Sequence, residues 1–416
     1  MSEVTVGIDW GAQEMSVCAL DEAGKRLLKK DVARTGEKIE GLVERLLALV
    51  DGDPKRLKVA LEMPRASVIE ALLARGVSVY TINPKQADRF RDRHTISGAK
   101  DDSLDAFVLA DALRSDTHLF RLLRIEPEDV VLLRERSRAY EELTGQAVAL
   151  GNQLHALLSR YYKEIIDLGV SLHETPWVWR LIQVAPNADK LRAGKTTTVL
   201  KRLTTKKGPK LPQDILARLE AARRGRPLPM TRATRDALTE RVQRLLPILR
   251  ATHRQRRECQ AELRKLVNQL TKEEDESERP SDMAILMSMP GIGYRIASVL
   301  FAEASRAIQE RKLQPLRRLA GIAPVSRRSG GRAKTPVVSM RRAAHRRLRD
   351  AVHNWMGIAI RYDERARALY ERQRAKGNTY ARALRAVADR MLAVLVAALR
   401  ERRLYDESQR RLPAPS

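Results

Sequence analysis

The chain has 416 residues and a formal charge of +27, with 79 Lys and Arg against 52 Asp and Glu. At about 150 residues per domain this length accommodates two to four domains; the 43% apolar content excludes wholesale disorder, and two cysteines exclude a disulfide framework or a multi-cysteine zinc site. Aromatic residues at 4% argue against a stacking reader of single strands, Met1 to Trp10 lacks the pattern of a secretory signal, and the longest apolar run, Met391 to Leu399, is far shorter than the roughly 20 residues of a membrane span, so a soluble intracellular protein is expected.

Residues 4–10 and 15–20 are short runs rich in β-branched residues, and a third candidate strand covers about 26–31 after the turn Asp21-Glu22-Ala23-Gly24. Ile39, Leu42, Val43, Leu46 and Leu47 fall on one face of a predicted helix over 37–50. A strand at 57–61 ending in Glu62-Met63-Pro64, a helix near 66–75, a strand at 77–82, a short helix from Pro84 and a helix over 102–115 complete a βββαβαβα order. That order is a signature of ribonuclease-H-like folds. Residues 120–280 read as almost wholly helical, with coiled-coil-like stretches at 126–166 and 232–274. The Thr/Lys/Gly/Pro-rich stretch 195–213 and the Arg-rich turn 223–229 are loops over a helical core or RNA-facing basic insertions. Acids cluster in a predicted linker at 272–281, and helices are predicted near 343–361 and 379–402 around a basic loop at 324–343.

These boundaries give an α/β domain at 1–118, a helical or coiled-coil middle region at 119–280, a mostly helical C-terminal domain at 281–405 and a tail at 406–416. The fold class is multidomain, α/β followed by α. Charge is divided unevenly. Residues 1–116 hold 18 basic and 20 acidic side chains, whereas residues 311–350 hold 13 basic residues and the single acid Asp350. Clustered Lys and Arg are the electrostatic footprint of a polyanion such as nucleic acid, because each neutralised phosphate releases counterions.

The acidic first region needs its own explanation. Asp9 ends the first strand, Glu62 ends the fourth, and Asp102 and Asp105 project from one face of a helix. In a ribonuclease-H-like sheet the ends of those strands lie side by side and that helix packs across them. Four converging carboxylates repel one another unless divalent cations sit between them, and oxygen-rich sites of this kind bind Mg2+ or Mn2+. Helix capping by Asp101 and Asp102 is the alternative reading, and Asp101 points off the shared face.

Pro290-Gly291-Ile292-Gly293 lies between two apolar segments in a helix-hairpin-helix pattern, where Gly291 and Gly293 let the backbone approach a phosphate; an ordinary turn between helices is the alternative. Gly321-Ile322-Ala323-Pro324-Val325-Ser326-Arg327-Arg328-Ser329-Gly330-Gly331 is a Gly-bounded, Arg-flanked loop. Ser329, before two glycines and beside Arg327, Arg328, Arg332 and Arg341, either contacts a phosphate or attacks one. Lys334 and Arg342 extend the same nucleic-acid-contacting set. No histidine is adjacent in sequence to serve as base, although His345 and His353 follow within a few turns.

Asp9, Glu62, Lys100-Asp101-Asp102-Ser103-Leu104-Asp105-Ala106, the Pro-Gly-Ile-Gly hairpin, Ala320-Gly321-Ile322-Ala323-Pro324 and Ser329-Gly330 occur in an order that resembles the DEDD transposases of bacterial insertion sequences, the one-ten group, including related pilin-gene invertases. The likeness covers nearly the whole chain. It implies an N-terminal RuvC-like domain, a helical middle and a C-terminal transposase domain. It further implies that Asp9, Glu62, Asp102 and Asp105 ligate Mg2+ and that Ser329 forms a phosphoserine link to DNA. The partners it implies are double-stranded donor and target DNA, a structured non-coding "bridge" RNA, and further copies of the chain in a homodimer or homotetramer. A cytoplasmic, nucleoid-associated protein with no membrane partner follows. Lys100-Asp101-Asp102 departs from the family's Lys-Thr-Asp or Lys-Asn-Asp, and Ser326, three residues before Ser329, is a second candidate nucleophile. Two other functions fit the residues: a RuvC-type junction nuclease using water, with Ser329 only a DNA contact, and a non-catalytic nucleic-acid-packaging protein.

Overall fold

The computed structural model describes residues 3–11, 13–62, 67–93, 102–193, 211–272, 279–327, 337–340 and 344–406. The chain divides into two compact units, Met1–Pro127 and Glu128–Ser416. In the first, β1 (Val4–Trp10), β2 (Glu14–Leu20) and β3 (Arg26–Ala33) form an antiparallel meander. They are followed by α1 (Gly36–Ala48), β4 (Leu57–Leu61), α2 (Ser67–Ala74), β5 (Ser78–Thr81), α3 (Pro84–Arg91), α4 (Asp102–Asp116) and β6 (Arg121–Leu122). The sheet order is β3-β2-β1-β4-β5-β6, with β1, β4 and β5 parallel. Two-residue β6 adds an antiparallel edge that the sequence reading lacks; both its side chains are exposed, so no apolar alternation marks it.

β1 is covered on both faces, which explains why Val4 to Ile8 are all buried rather than alternating. Val4, Val6 and Ile8 pack with Ile39, Leu42, Val43 and Leu46 of α1 and with Val68, Ile69 and Leu72 of α2. Thr35 starts α1 by accepting a hydrogen bond from the Lys38 N–H, and the apolar stripe of that helix at i, i+3, i+4, i+7 then meets the sheet. The opposite face of the sheet carries α4, through Ala106 and Ala110 against Cys18 and Leu20.

The second unit is mostly helical. α5 (Glu128–Tyr161) leads through α6 (Lys163–Ile166), α7 (Pro176–Val184), α8 (Ala188–Ala193) and α9 (Gln213–Arg224) to α10 (Arg232–Lys272). α5 and α10 pack antiparallel: Leu154 and Leu158 meet Val242 and Leu246 at one end, while Leu133 shares a core with Leu263 and Val267 at the other. That second core continues into α11 (Asp282–Ser288), α12 (Tyr294–Glu303), α13 (Ser305–Gln309), α14 (Leu313–Leu319), α15 (Arg346–Tyr362), α16 (Glu364–Ala375) and α17 (Tyr380–Glu401). The bases of the long helices and the C-terminal helices therefore share one apolar interior. β7 (Pro324–Arg327) and β8 (Val337–Met340) form an antiparallel ribbon, so the basic loop begins and ends as paired strands. The stretch 195–210 lies outside the described residues. Within the Arg-rich turn, Arg223 donates to the Leu191 carbonyl and Arg192 donates to the Gly225 carbonyl, so these two cations fasten the turn to α8. No helix among the described residues is long and apolar enough to cross a membrane.

Candidate active site

The sheet register decides where the first two carboxylates lie. Ile8 of β1 is level with Leu61 of parallel β4, so Asp9 and Glu62, each one residue further, sit at neighbouring strand ends. α4 crosses β1 at backbone contact. A Cβ on Gly7 would lie 2.0 Å from the Ala106 carbonyl oxygen and 2.6 Å from the Ala110 nitrogen, so only glycine permits this approach. The helix thereby brings its first turns beside the same sheet. Asp102 opens α4 and Asp105 follows one turn later. The Asp102 side chain and the whole of Asp101 lie outside the described residues.

Asp105 is buried, and its Oδ1 accepts from Arg91 Nε at 2.5 Å. Arg91 Nη1 also reaches Asp88 Oδ1 at 3.3 Å. The hydrogen bond to Asp105 raises the Arg91 pKa above its ordinary value against the opposing effect of burial, and the charges of Asp105, Asp88 and Glu62 add to it. Arg91 thus pairs with Asp105 and Asp88 and feels the charge of Glu62. Arg91 and Asp88 are absent from the sequence-derived site, because an ion pair across α3 and α4 has no local signature. Gly7 did carry a signal: an isolated glycine inside a strand marks close backbone approach.

The donor chemistry fits a hard divalent cation. Every candidate ligand is a carboxylate, and such oxygens favour Mg2+ or Mn2+ over softer metals. Among the described residues no group of three His, Cys, Asp or Glu is arranged to hold a metal ion, and Asp102 is not among those side chains.

In the second unit, α11 and α12 flank the Pro290–Gly293 turn. Gly291 adopts φ +82°, and a Cβ there would lie 2.8 Å from the Ala359 nitrogen of α15. Its role in this structure is to pack that turn on α15, which Trp355 secures by donating from Nε1 to the Pro290 carbonyl at 2.9 Å. Gly293 differs: it precedes α12, is exposed, and has open space where a Cβ would be. Arg327 and Ser326 are described by backbone alone, in β7. Ser329, Arg328, Arg332, Lys334, Arg341 and Arg342 lie outside the described residues. His345 starts α15: its Nδ1 accepts from the Leu348 N–H at 3.4 Å, and Nε2 faces Glu303 Oε2 at 3.4 Å.

Glu303, whose carboxylate is largely shielded from solvent, is the hub of a half-buried network. Its Oε1 accepts from Arg138 Nη2 at 2.9 Å and from Arg347 Nη1 at 2.5 Å. Arg347 also pairs with Glu141, and Arg138 with Glu135. Burial opposes ionisation of Glu303, but the charges of Arg138, His345 and Arg347 overcome it and hold the carboxyl below the usual range.

Residues 6–163 match a family model described as a transposase, and residues 283–371 match that of the transposase IS116/IS110/IS902 family. The chain belongs to this transposase family. Four of the candidate carboxylates, Asp9, Glu62, Asp102 and Asp105, fall in the first match, and Gly291, Gly293 and Ser329 fall in the second. A protein of Streptomyces coelicolor named as a mini-circle transposase for IS117 is 29% identical over 98% of this chain and 96% of its own length. The insertion element IS110 43.6 kDa protein of the same organism is 26% identical over 99% and 96%. A Sinorhizobium fredii protein named as the transposase y4uE is 38% identical across 47% of this chain, a match spanning only 55% of that relative. Transposases of this family act on DNA, and the DEDD type is in general metal-dependent.

Proposed function

We propose that this transposase is a recombinase that cuts and rejoins double-stranded donor and target DNA through a serine-linked intermediate, guided by a structured non-coding RNA and working as a homodimer or homotetramer. The observation that supports the reading is the packing of α4 on β1 beside β4, with Asp9 and Glu62 at neighbouring strand ends and Asp105 in the first turns of the helix. Asp9, Glu62, Asp102 and Asp105 would hold Mg2+ or Mn2+ there. A divalent ion at such a site supplies Lewis-acid stabilisation of charge on phosphoryl oxygens.

The rest of the chemistry belongs to the chain. Gly7 fixes α4 against β1, so the acidic residues of the helix stay beside the strand ends. Ser329 Oγ attacks the phosphorus: an Oγ–P bond forms as one sugar O–P bond breaks, the hydroxyl proton passes to a base, and the departing sugar oxygen takes up a proton. The new phosphodiester retains the bond energy, so an incoming sugar hydroxyl reverses the step and releases serine. Arg327, Arg328, Arg332, Lys334, Arg341 and Arg342 supply the positive charge that a crowded phosphate requires. Gly293, at the open N-terminal end of α12, suits backbone contact with DNA.

The test is to incubate the protein with Mg2+, the element's end RNA and labelled donor and target DNA, digest with protease and resolve the products under denaturing conditions. A label retarded by a residual peptide, lost in Ser329→Ala, is the expected outcome. Asp105→Asn is expected to lower strand cleavage by about a hundredfold or more with the fold intact. Nicked ends free of peptide, still formed by Ser329→Ala, would show hydrolysis by water and overturn the serine step.

A further inference from the structure

A cleft of about 720 Å³ runs between α7 and the middle of α10, in the stretch between the two segments matched by family models. Its two walls follow the same helical spacing. α7 contributes Trp179, Arg180 and Gln183; α10 contributes Arg250, Arg254 and Arg257, with Glu258 as the one acid lining it. Facing helical stripes are ordinarily apolar where they meet. Here they carry four guanidiniums.

The floor of the cleft is rigid. Trp179 is buried, donates from Nε1 to the Leu172 carbonyl at 2.6 Å and meets the His253 ring edge-on at 5.0 Å. Above it, Arg250 is half-buried, and its Nη2 has no hydrogen-bond partner. Burial and the adjacent charge of Arg180 both push the Arg250 pKa down. Neighbouring Arg256 takes the nearby carboxylate, Glu174, at 3.2 Å and turns into the core. Arg250 is therefore held beside the charge of Arg180, and four guanidiniums line the cleft with the single carboxylate of Glu258, an excess of positive charge that an entering anion relieves. A guanidinium fork matches phosphate oxygens in a bidentate manner, and this volume accommodates a nucleotide rather than an isolated ion.

We propose that this cleft is a nucleic-acid subsite in which Arg180, Arg250, Arg254 and Arg257 grip a backbone phosphate of a polynucleotide strand. The subsite rests on charge and packing in the helical unit, and it stands whether or not the serine chemistry is correct.

The experiment compares the full-length protein with Arg254→Glu/Arg257→Glu, two exposed positions whose replacement leaves the core untouched. A control, Arg232→Glu/Arg244→Glu, makes the same charge change at exposed positions of α10 outside the cleft. Fluorescence anisotropy over a salt series reads affinity for a labelled RNA hairpin and for duplex DNA. The cleft variant is expected to lose at least tenfold more affinity than the control, and its salt slope is expected to fall by about one per phosphate contact removed. Loss confined to RNA assigns the strand as RNA; loss confined to DNA assigns it as DNA. Equal losses in cleft and control variants, or an unchanged slope, overturn the proposal. Should the variant melt early, photo-cross-linking of 4-thiouridine RNA and 4-thiothymidine DNA to the unmodified protein replaces it. Adducts within Pro176–Val184 or 250–258 support the subsite, and adducts confined to other peptides overturn it.

Discussion

The two units solve opposite electrostatic problems around one central charge. In the α/β unit two carboxylates, Asp105 and Asp88, pair with a single guanidinium, Arg91, which also feels the charge of Glu62. In the helical unit several cations surround a single carboxylate, Glu303. The second cluster is closed, because its arginines also reach Glu135 and Glu141. Among the described residues the first sets three carboxylates, Asp105, Asp88 and Glu62, against the one guanidinium. A closed network is explained by stability alone, whereas under the proposed function the other cluster is where a further cation would sit.

Breaking the closed hub should have the largest effect. Glu303→Ala leaves half-buried guanidiniums without their shared partner, a loss expected to lower unfolding free energy by about 3 kcal/mol in urea titration. The hub also sets an acid limit. Because the folded carboxyl lies below its ordinary value of 4.5, its contribution is complete above that value and disappears as pH falls through the folded pKa. Stability measured from pH 6 downward should therefore fall less steeply in Glu303→Gln, which has no proton to gain. An acid limb of unchanged slope in that variant would show that other carboxylates dominate.

Gly7→Ala comes next and strikes the open cluster through the backbone. The added methyl would overlap the Ala106 carbonyl, and relief requires α4 to move off β1. A loss of about 1–3 kcal/mol is expected by thermal melting, with weakened divalent-ion binding even in the fraction that remains folded. Retained stability and metal affinity together would mean that α4 need not touch β1 to place Asp105.

These two sites differ in how far they can be read before folding. The strand-end positions of Asp9 and Glu62 are legible because each closes a short, mostly apolar run, and the sheet order follows from the alternation of strands and helices. The pairing of Arg91 with Asp105 and of Arg347 with Glu303 is not legible, since it joins residues on different helices. At Gly291, where the sequence left a phosphate approach and an ordinary turn open, the glycine packs the turn on α15, and in the turn containing Arg223 that one arginine is bonded to the Leu191 carbonyl. The cleft arginines stood in plain view at helical spacing on α10, but only the placement of α7 opposite them gives that spacing a meaning.

The smallest predicted effect bears most directly on the open cluster. Arg91 holds the Asp105 oxygen that a divalent ion would need, so guanidinium and metal compete for one acceptor. Arg91→Gln removes the competing charge and keeps an amide of similar reach. Divalent affinity, read by calorimetric titration with Mn2+, is expected to rise about tenfold, equivalent to ~1.4 kcal/mol. Arg91→Lys, which retains the charge, should bind close to the unmodified protein. If Arg91 served instead to build the site, by holding α3 and α4 in register, both variants would bind more weakly and melt earlier. Tighter binding in the glutamine variant alone would separate competition from scaffolding, because no loss of order increases affinity for a cation at carboxylates that must converge.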